Sequence, residues 1–223
     1  RNVYLITTDK LYITNAIQAD KTASGGIFVN FNNINKEKAS GTVQVHFRNE
    51  NTADKKASLK FILTDNEGNR REFKSEEFLI NANSDKAVTQ NIFVNNPKLW
   101  SISKPNLYHL EVQLVSNNKI IDSYSEKIGI RKSEIKDDGY YLNDEKLYIT
   151  GTNTHQEYPY LGYAISDEAQ YRDAVKIKNA GFDFVRMSHY PHAEAFMNAC
   201  DELGILVMNS LTGWQFFGNE TFQ

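Results

Sequence analysis

Two short motifs carry most of the chemistry in this sequence. Gly151-Thr-Asn153-Thr-His155-Gln-Glu157-Tyr-Pro159 and Val185-Arg186-Met-Ser188-His189-Tyr190-Pro191 each follow a short apolar run and each lead into a helix-forming stretch. In α/β proteins, side chains at the carboxyl ends of parallel strands point into a shared crevice. On that geometry Asn153, His155, Arg186, Ser188 and His189 meet at one face of a sheet. Imidazoles and an amide supply both donors and acceptors, as sugar hydroxyls require, and the planar fork of Arg186 suits a carboxylate. Two other readings compete. His155, His189 and His192 with Glu157 form a nominal zinc set, yet no His-Glu-x-x-His pair shares a helix face, no Cys joins them, and His192 is expected to turn into the first turn of its helix. In the other reading, His155 and His189 merely cap strand ends by bonding to backbone.

The elements that must position these residues begin near residue 131. A polar hairpin, Asp137-Asp-Gly-Tyr-Tyr141 turning through Asn143-Asp-Glu-Lys146, leads into Leu147-Tyr-Ile149, the expected first core strand. Ser166 is an N-cap with Asp167 and Glu168 behind it, and Tyr171, Ala174, Val175 and Ile177 form an apolar stripe ending at Gly181. Phe182 to Met187 reads as the second strand. Pro191 opens a second helix, with Phe196, Met197, Cys200 and Leu203 as its stripe and Gly204 as its close, and Ile205 to Met208 is the third strand. Strand, helix, strand, helix, strand with right-handed crossovers is the start of a parallel α/β sheet or barrel.

Before Arg131 the period is two. Val43, Val45 and Phe47 alternate with Gln44, His46 and Arg48, and Leu59, Phe61 and Leu63 alternate with Lys60, Ile62 and Thr64. Turn signals at Asp65-Asn-Glu-Gly-Asn69, Asn81-Ala-Asn-Ser-Asp85 and Ser116-Asn-Asn-Lys119 divide these strands at the spacing of a β-sandwich of about seven strands. Without a Cys pair, it is an immunoglobulin-like sandwich lacking the antibody disulfide. Asn96-Pro-Lys-Leu-Trp100 and Pro105-Asn-Leu-Tyr108 read as a crossover loop that pins Trp100 against the sandwich. His46 and His109 read as surface or packing histidines.

Composition narrows the partners. A net charge of -3 and a pI near 6.0 provide no basic field for phosphate backbones, so nucleic acid is disfavoured. No apolar run approaches the ~20 residues that cross a bilayer, so a membrane is disfavoured too. The first residue is Arg, which reads as a cut start and would hide any export signal; periplasmic and secreted locations both remain open. Cys200 stands alone between apolar neighbours and reads as a buried core thiol.

Gly151-Thr-Asn-Thr-His155, Tyr158-Pro159, Gly162-Tyr-Ala164, Gly181-Phe-Asp-Phe-Val-Arg-Met-Ser-His-Tyr-Pro191 and Cys200-Asp-Glu-Leu-Gly204-Ile resemble the start of the catalytic barrel of glycoside hydrolase family 2, most of all its β-galactosidases. Pro97-Lys-Leu-Trp-Ser101, Pro105-Asn-Leu-Tyr108 and Ile128-Gly-Ile-Arg131 resemble the immunoglobulin-like domain and the junction preceding that barrel. The resemblance implies residues 1–7 as the end of an amino-terminal sugar-binding β domain, 8–131 as the sandwich, and 132–223 as a truncated TIM (β/α)8 barrel with about three strands and two helices.

Members of the family are retaining enzymes with one Glu as acid/base and another as nucleophile. By motif, Asn153, His155 and His189 fall in the sugar-binding shell and Arg186 supports the nucleophile. Thr154 and Gln156 stand where many galactosidases carry Arg and Glu. Gly218-Asn219-Glu220 imitates the Asn-Glu acid/base signature, but ten residues past the third strand leave no room for another helix and strand. Both catalytic Glu residues are therefore expected beyond Gln223. Trp214, with Phe216 and Phe217, is expected either to wall the sugar pocket or to pack in the core.

The sequence is thus read as part of a hydrolase of terminal β-galactosides, inactive on its own. No cofactor is implied in this span, and a divalent or monovalent cation is left open for the complete enzyme. The partner is a β-galactoside oligosaccharide or glycan, and the unclosed barrel is expected to self-associate. The rival is a non-catalytic carbohydrate-binding or scaffolding module.

Overall fold

The computed structural model describes residues 3–19, 21 and 25–210. The chain divides into two units, one of residues 5–98 and 107–130, the other of 1–4, 99–106 and 131–223.

The first unit is all β. Strands β1 (Leu11–Ile13), β2 (Ile27–Ile34), β3 (Lys38–Asn49) and β7 (Ser84–Asn95) form one antiparallel sheet. Strands β4 (Lys55–Thr64), β5 (Arg70–Lys74), β6 (Phe78–Ile80), β8 (Tyr108–Ser116) and β9 (Lys119–Ile128) form the other. β1 and β2 follow each other along one edge of β3, as β5 and β6 do along β4. Nine strands among the described residues therefore occupy seven positions, as the turn spacing implied. The alternation settles which faces are inside: Val43, Val45, Phe47, Phe61, Val112 and Leu114 are fully buried. Ile13 N donates to Asp122 Oδ2 across the two sheets at 2.8 Å. His46 is buried, accepting or donating at Nδ1 with Thr14 Oγ1 at 2.8 Å and facing Asp85 Oδ2 from Nε2 at 3.3 Å.

The second unit opens with an antiparallel meander of β10 (Ser133–Lys136), β11 (Gly139–Leu142) and β12 (Glu145–Leu147). There follow β13 (Gly151–Thr154), α1 (Asp167–Asn179), β14 (Phe184–Met187), α2 (Glu194–Leu203) and β15 (Leu206–Met208). β13, β14 and β15 are parallel neighbours in that order. This is an immunoglobulin-like sandwich followed by the start of a TIM barrel, with no closed barrel among the described residues.

The first parallel strand differs from the sequence reading. Leu147 belongs to the meander, and the motif Gly151-Thr-Asn-Thr154 is itself the strand. Gly is required there: a Cβ on Gly151 would meet the Phe184 ring at 2.6 Å and the Phe184 carbonyl oxygen at 2.9 Å. Two helical details also shift. Ser166 caps α1 as expected, its hydroxyl accepting from Ala169 N, but Gln170 and not Tyr171 is the buried residue beside Ala174. α2 starts at Glu194, three residues after Pro191, so His192 precedes the helix.

Val185 and Met187 pack with Ala174, Phe196, Ala199, Cys200 and Ile205 beneath the two helices. Each large apolar side chain buried there contributes about 1.5–3 kcal/mol. Burial also pushes the Cys200 thiol up to about 12, the adjacent Asp201 adding to the effect.

Trp100 corrects another expectation. Its indole N–H donates to Asp201 O at 2.7 Å, with the Arg131 guanidinium 5.0 Å from the ring centroid. The segment around it is held in this second unit by Asn143 Nδ2 on Trp100 O and Lys178 Nζ on Ile102 O. Gly204, left-handed at φ 71°, closes α2 against that segment.

Candidate functional site

The strand register places the site. Asn153 lies opposite Arg186, and Thr154 opposite Met187. Because Val185 and Met187 face the helices, Asn153, Phe184 and Arg186 share the opposite face, and the chain leaves both strands at the same end. His155 and His189 emerge there with ring centroids 5.7 Å apart, edge to face, well inside the roughly 10 Å that adjacent strands ~4.8 Å apart allow. Arg186 donates from Nη1 to Ser188 Oγ at 3.2 Å and from Nη2 to His189 Nδ1 at 3.1 Å. Since guanidinium only donates, Nδ1 is the accepting nitrogen and the ring proton sits on Nε2. Among the described residues Arg186 has no carboxylate partner. The Ser188–His189 peptide is cis.

Of the residues singled out from the sequence, the structure brings His155, His189, Arg186 and Ser188 together, with Asn153 on the same face. Ser188 is buried, its N–H donating to Thr154 O at 2.9 Å. The zinc set is not assembled. His192 is buried, stacked on Tyr190 at 5.1 Å, and bonds from Nε2 to Ser188 O at 3.5 Å. Tyr190 stands between it and His155, and Glu157 is held by the Tyr163 hydroxyl at 2.9 Å. No group of three or more His, Cys, Asp or Glu with metal-binding geometry exists among the described residues. The backbone-capping reading concerns His155 and His189: His189 Nδ1 bonds the Arg186 side chain, and the His155 ring makes no hydrogen bond among the described residues. Trp214, Phe216, Phe217 and Glu220 lie outside the described residues.

Sequence reasoning missed the aromatic support. Tyr190 OH accepts from Gln156 N at 3.0 Å, and its ring meets Tyr163 at 5.5 Å and His155 at 6.1 Å. Hydrogen bonds to Tyr190 and then Glu157 raise the Tyr163 hydroxyl above the ordinary tyrosine value. The departures at 154 and 156 also gain a meaning. Thr154 is in register with helix-facing Met187, and the buried Gln156 accepts Ala193 N at the mouth of α2. Neither presents its side chain on the histidine face; both set the backbone that does. The only signal for this in the sequence was the density of Tyr around the two motifs.

Comparison with known proteins decides the family. Residues 27–131 match Glycosyl hydrolases family 2, and residues 133–220 match the TIM barrel domain of Glycosyl hydrolases family 2. The chain belongs to glycoside hydrolase family 2. A β-galactosidase of Thermoanaerobacterium thermosulfurigenes is 35% identical over 224 residues, covering 100% of this chain and 30% of its own length. A putative β-glucuronidase of Formosa agariphila is 40% identical over 151 residues, 67% of this chain and 18% of its own. A solved family 2 member from Bacteroides cellulosilyticus superposes with a TM-score of 0.81 at 29% identity, over 92% of this chain and 27% of its own. The chain thus spans less than a third of the length of these relatives.

Proposed function

We propose that this chain is part of a retaining hydrolase of terminal β-galactosides and supplies one wall of its sugar crevice. Asn153, His155 and His189 bond sugar hydroxyls, and Arg186 orients the nucleophile. The acid/base and nucleophilic Glu residues lie past Gln223, so hydrolysis with retention proceeds through a glycosyl-enzyme intermediate only in the complete protein. One observation carries the reading: two imidazoles side by side at the ends of neighbouring parallel strands, one of them fixed by an arginine. We propose also that the isolated chain self-associates through the edges of β13 and β15 that have no strand partner among the described residues.

The test is turnover of nitrophenyl β-galactoside and nitrophenyl β-glucuronide by the complete protein and by the 223-residue chain. The galactoside is the expected preferred substrate, with no turnover by the chain alone. Preference for the glucuronide, a reading the Formosa relative favours, replaces the sugar assignment while keeping the retaining mechanism. Binding without turnover of either glycoside by the complete protein returns the site to pure recognition.

A further inference from the structure

The paired register of β13 and β14 stops at Thr154 and Met187, and one more backbone bond follows, Ser188 N–H on Thr154 O at 2.9 Å. Both crevice histidines lie past that bond, so the register alone does not set the 5.7 Å between their rings. The next tie is made by a side chain. Tyr190, directly after His189, reaches across to accept the N–H of Gln156, directly after His155, at 3.0 Å. Each histidine is thus the single residue between two bonds that join its segment to the other: Thr154-His155-Gln156 on one side, Ser188-His189-Tyr190 on the other. A third bond, Ala193 N–H on Gln156 Oε1, continues the seam toward α2.

We infer that Tyr190 is a positioning residue, which holds His155 and His189 at the spacing that lets both imidazoles bond one sugar ring. The inference rests on the reading of those histidines as sugar ligands. Tyr190 is itself held from two sides. Its ring stacks at 5.1 Å on the buried His192, which meets Phe196 of the core beneath the helices at 5.8 Å. Its hydroxyl is oriented by Tyr163. The Tyr163 hydroxyl spends its one proton on Glu157 Oε1 at 2.9 Å, so its oxygen accepts the Tyr190 proton. The bonds therefore run one way, from Gln156 N–H through Tyr190 and Tyr163 to the Glu157 carboxylate, and hydrogen bonds in such a chain strengthen one another. The Tyr190 ring also meets the His155 ring edge-on at 6.1 Å, which blocks that imidazole from swinging away from His189. A pyranose presents its hydroxyls at fixed separations, so an error in imidazole spacing is felt at both contacts.

Tyr190→Phe keeps the ring and removes only the hydroxyl. In the complete protein it should lower kcat/KM for the preferred nitrophenyl glycoside about tenfold. In a His155→Ala background the same change should cost less than about twofold, because the residue it positions is gone. A Tyr190 that serves folding alone would cost the same in both backgrounds; that result, or full activity of Tyr190→Phe, overturns the proposal. Should Tyr190→Phe fail to fold, Tyr163→Phe, at a ring 49% exposed, takes its place in the same cycle with an expected loss of about threefold. The crystal structure of the folded variant in the complete protein reads the geometry without reference to catalysis. A ring separation between His155 and His189 changed from that of the parent is expected, and an unchanged one overturns the proposal. A parent that hydrolyses neither the galactoside nor the glucuronide removes the catalytic reading, and the ring separation then decides the positioning role by itself.

Discussion

Arg186 Nη2 donates to His189 Nδ1 at 3.1 Å, so the arginine fixes which edge of the imidazole faces the crevice. A lysine at 186 is a single flexible point charge and cannot bond Ser188 and His189 together. Arg186→Lys in the complete protein is expected to cost about 2–4 kcal/mol in kcat/KM, roughly 30- to 1,000-fold. His189→Ala should cost a similar amount. Because one residue acts through the other, the double variant should lose far less than the sum, and a kinetic double-mutant cycle measures that coupling. Additive losses would mean the two act separately.

Gly151→Ala is a backbone test of the same site. Its Cβ would press on the Phe184 ring and carbonyl, forcing β13 away from β14 and carrying His155 with it. A displacement near 1 Å can cost about 100-fold in rate. The expected signature is a fall in kcat/KM of that order in the complete protein, with the two units still folded by circular dichroism.

Trp100→Phe replaces the buried indole with a smaller ring and removes the N–H that satisfies Asp201 O. The expected loss is about 1–3 kcal/mol, read from urea unfolding of the complete protein. Gly204→Ala should be worse. It adds a left-handed backbone penalty of about 1–2 kcal/mol to a Cβ only 2.3 Å from Ile102 O.

Acid sensitivity should trace to the β4–β5 turn. The Asn69 side-chain amide, with backbone N–H groups of Asn69 and Glu67 and the Lys98 charge, holds Asp65 at about 2 against an ordinary 3.8. A carboxyl depressed in the folded state contributes stability above its unfolded value and loses it as pH falls from about 4 toward 2. Asp65→Asn should therefore flatten the urea midpoint across that window; an unchanged acid limb would assign the sensitivity elsewhere.

Cys200 should resist alkylation. With its thiol pushed to about 12 in a fully buried position, iodoacetamide at pH 8 should leave it unmodified in the folded protein and label it fully in denaturant. Mass spectrometry reads both states.

Much of this fold could be read from residue patterns, and the exceptions share a cause. The sandwich was readable because Val43, Val45 and Phe47 alternate with polar neighbours, and α2 because its stripe is apolar. Gly151-Thr-Asn-Thr lacks the apolar signal that Leu147-Tyr-Ile149 carries, since its pairing depends on backbone and on room for Phe184, not on apolar side chains. Gln170 escapes the pattern beside Tyr171 because a polar residue on the buried face of α1 adds nothing to an apolar stripe. The pairing of His155 with His189 followed from strand ends, whereas the stacking of Tyr163, Tyr190 and His192 joins distant segments and leaves no periodic trace.

The indole of Trp100 and the carbonyl of Asp201 are 101 residues apart in the chain. At a synthesis rate of about 5–20 residues per second, roughly 5–20 s pass between the emergence of one and of the other. Once β9 has emerged at Ile128, the sandwich strands on both sides of Trp100 are available to pair, while the carbonyl that accepts the indole N–H is still to be made. A nascent chain must therefore carry residues 99–106 without the Asp201 acceptor of the indole N–H until α2 has been made.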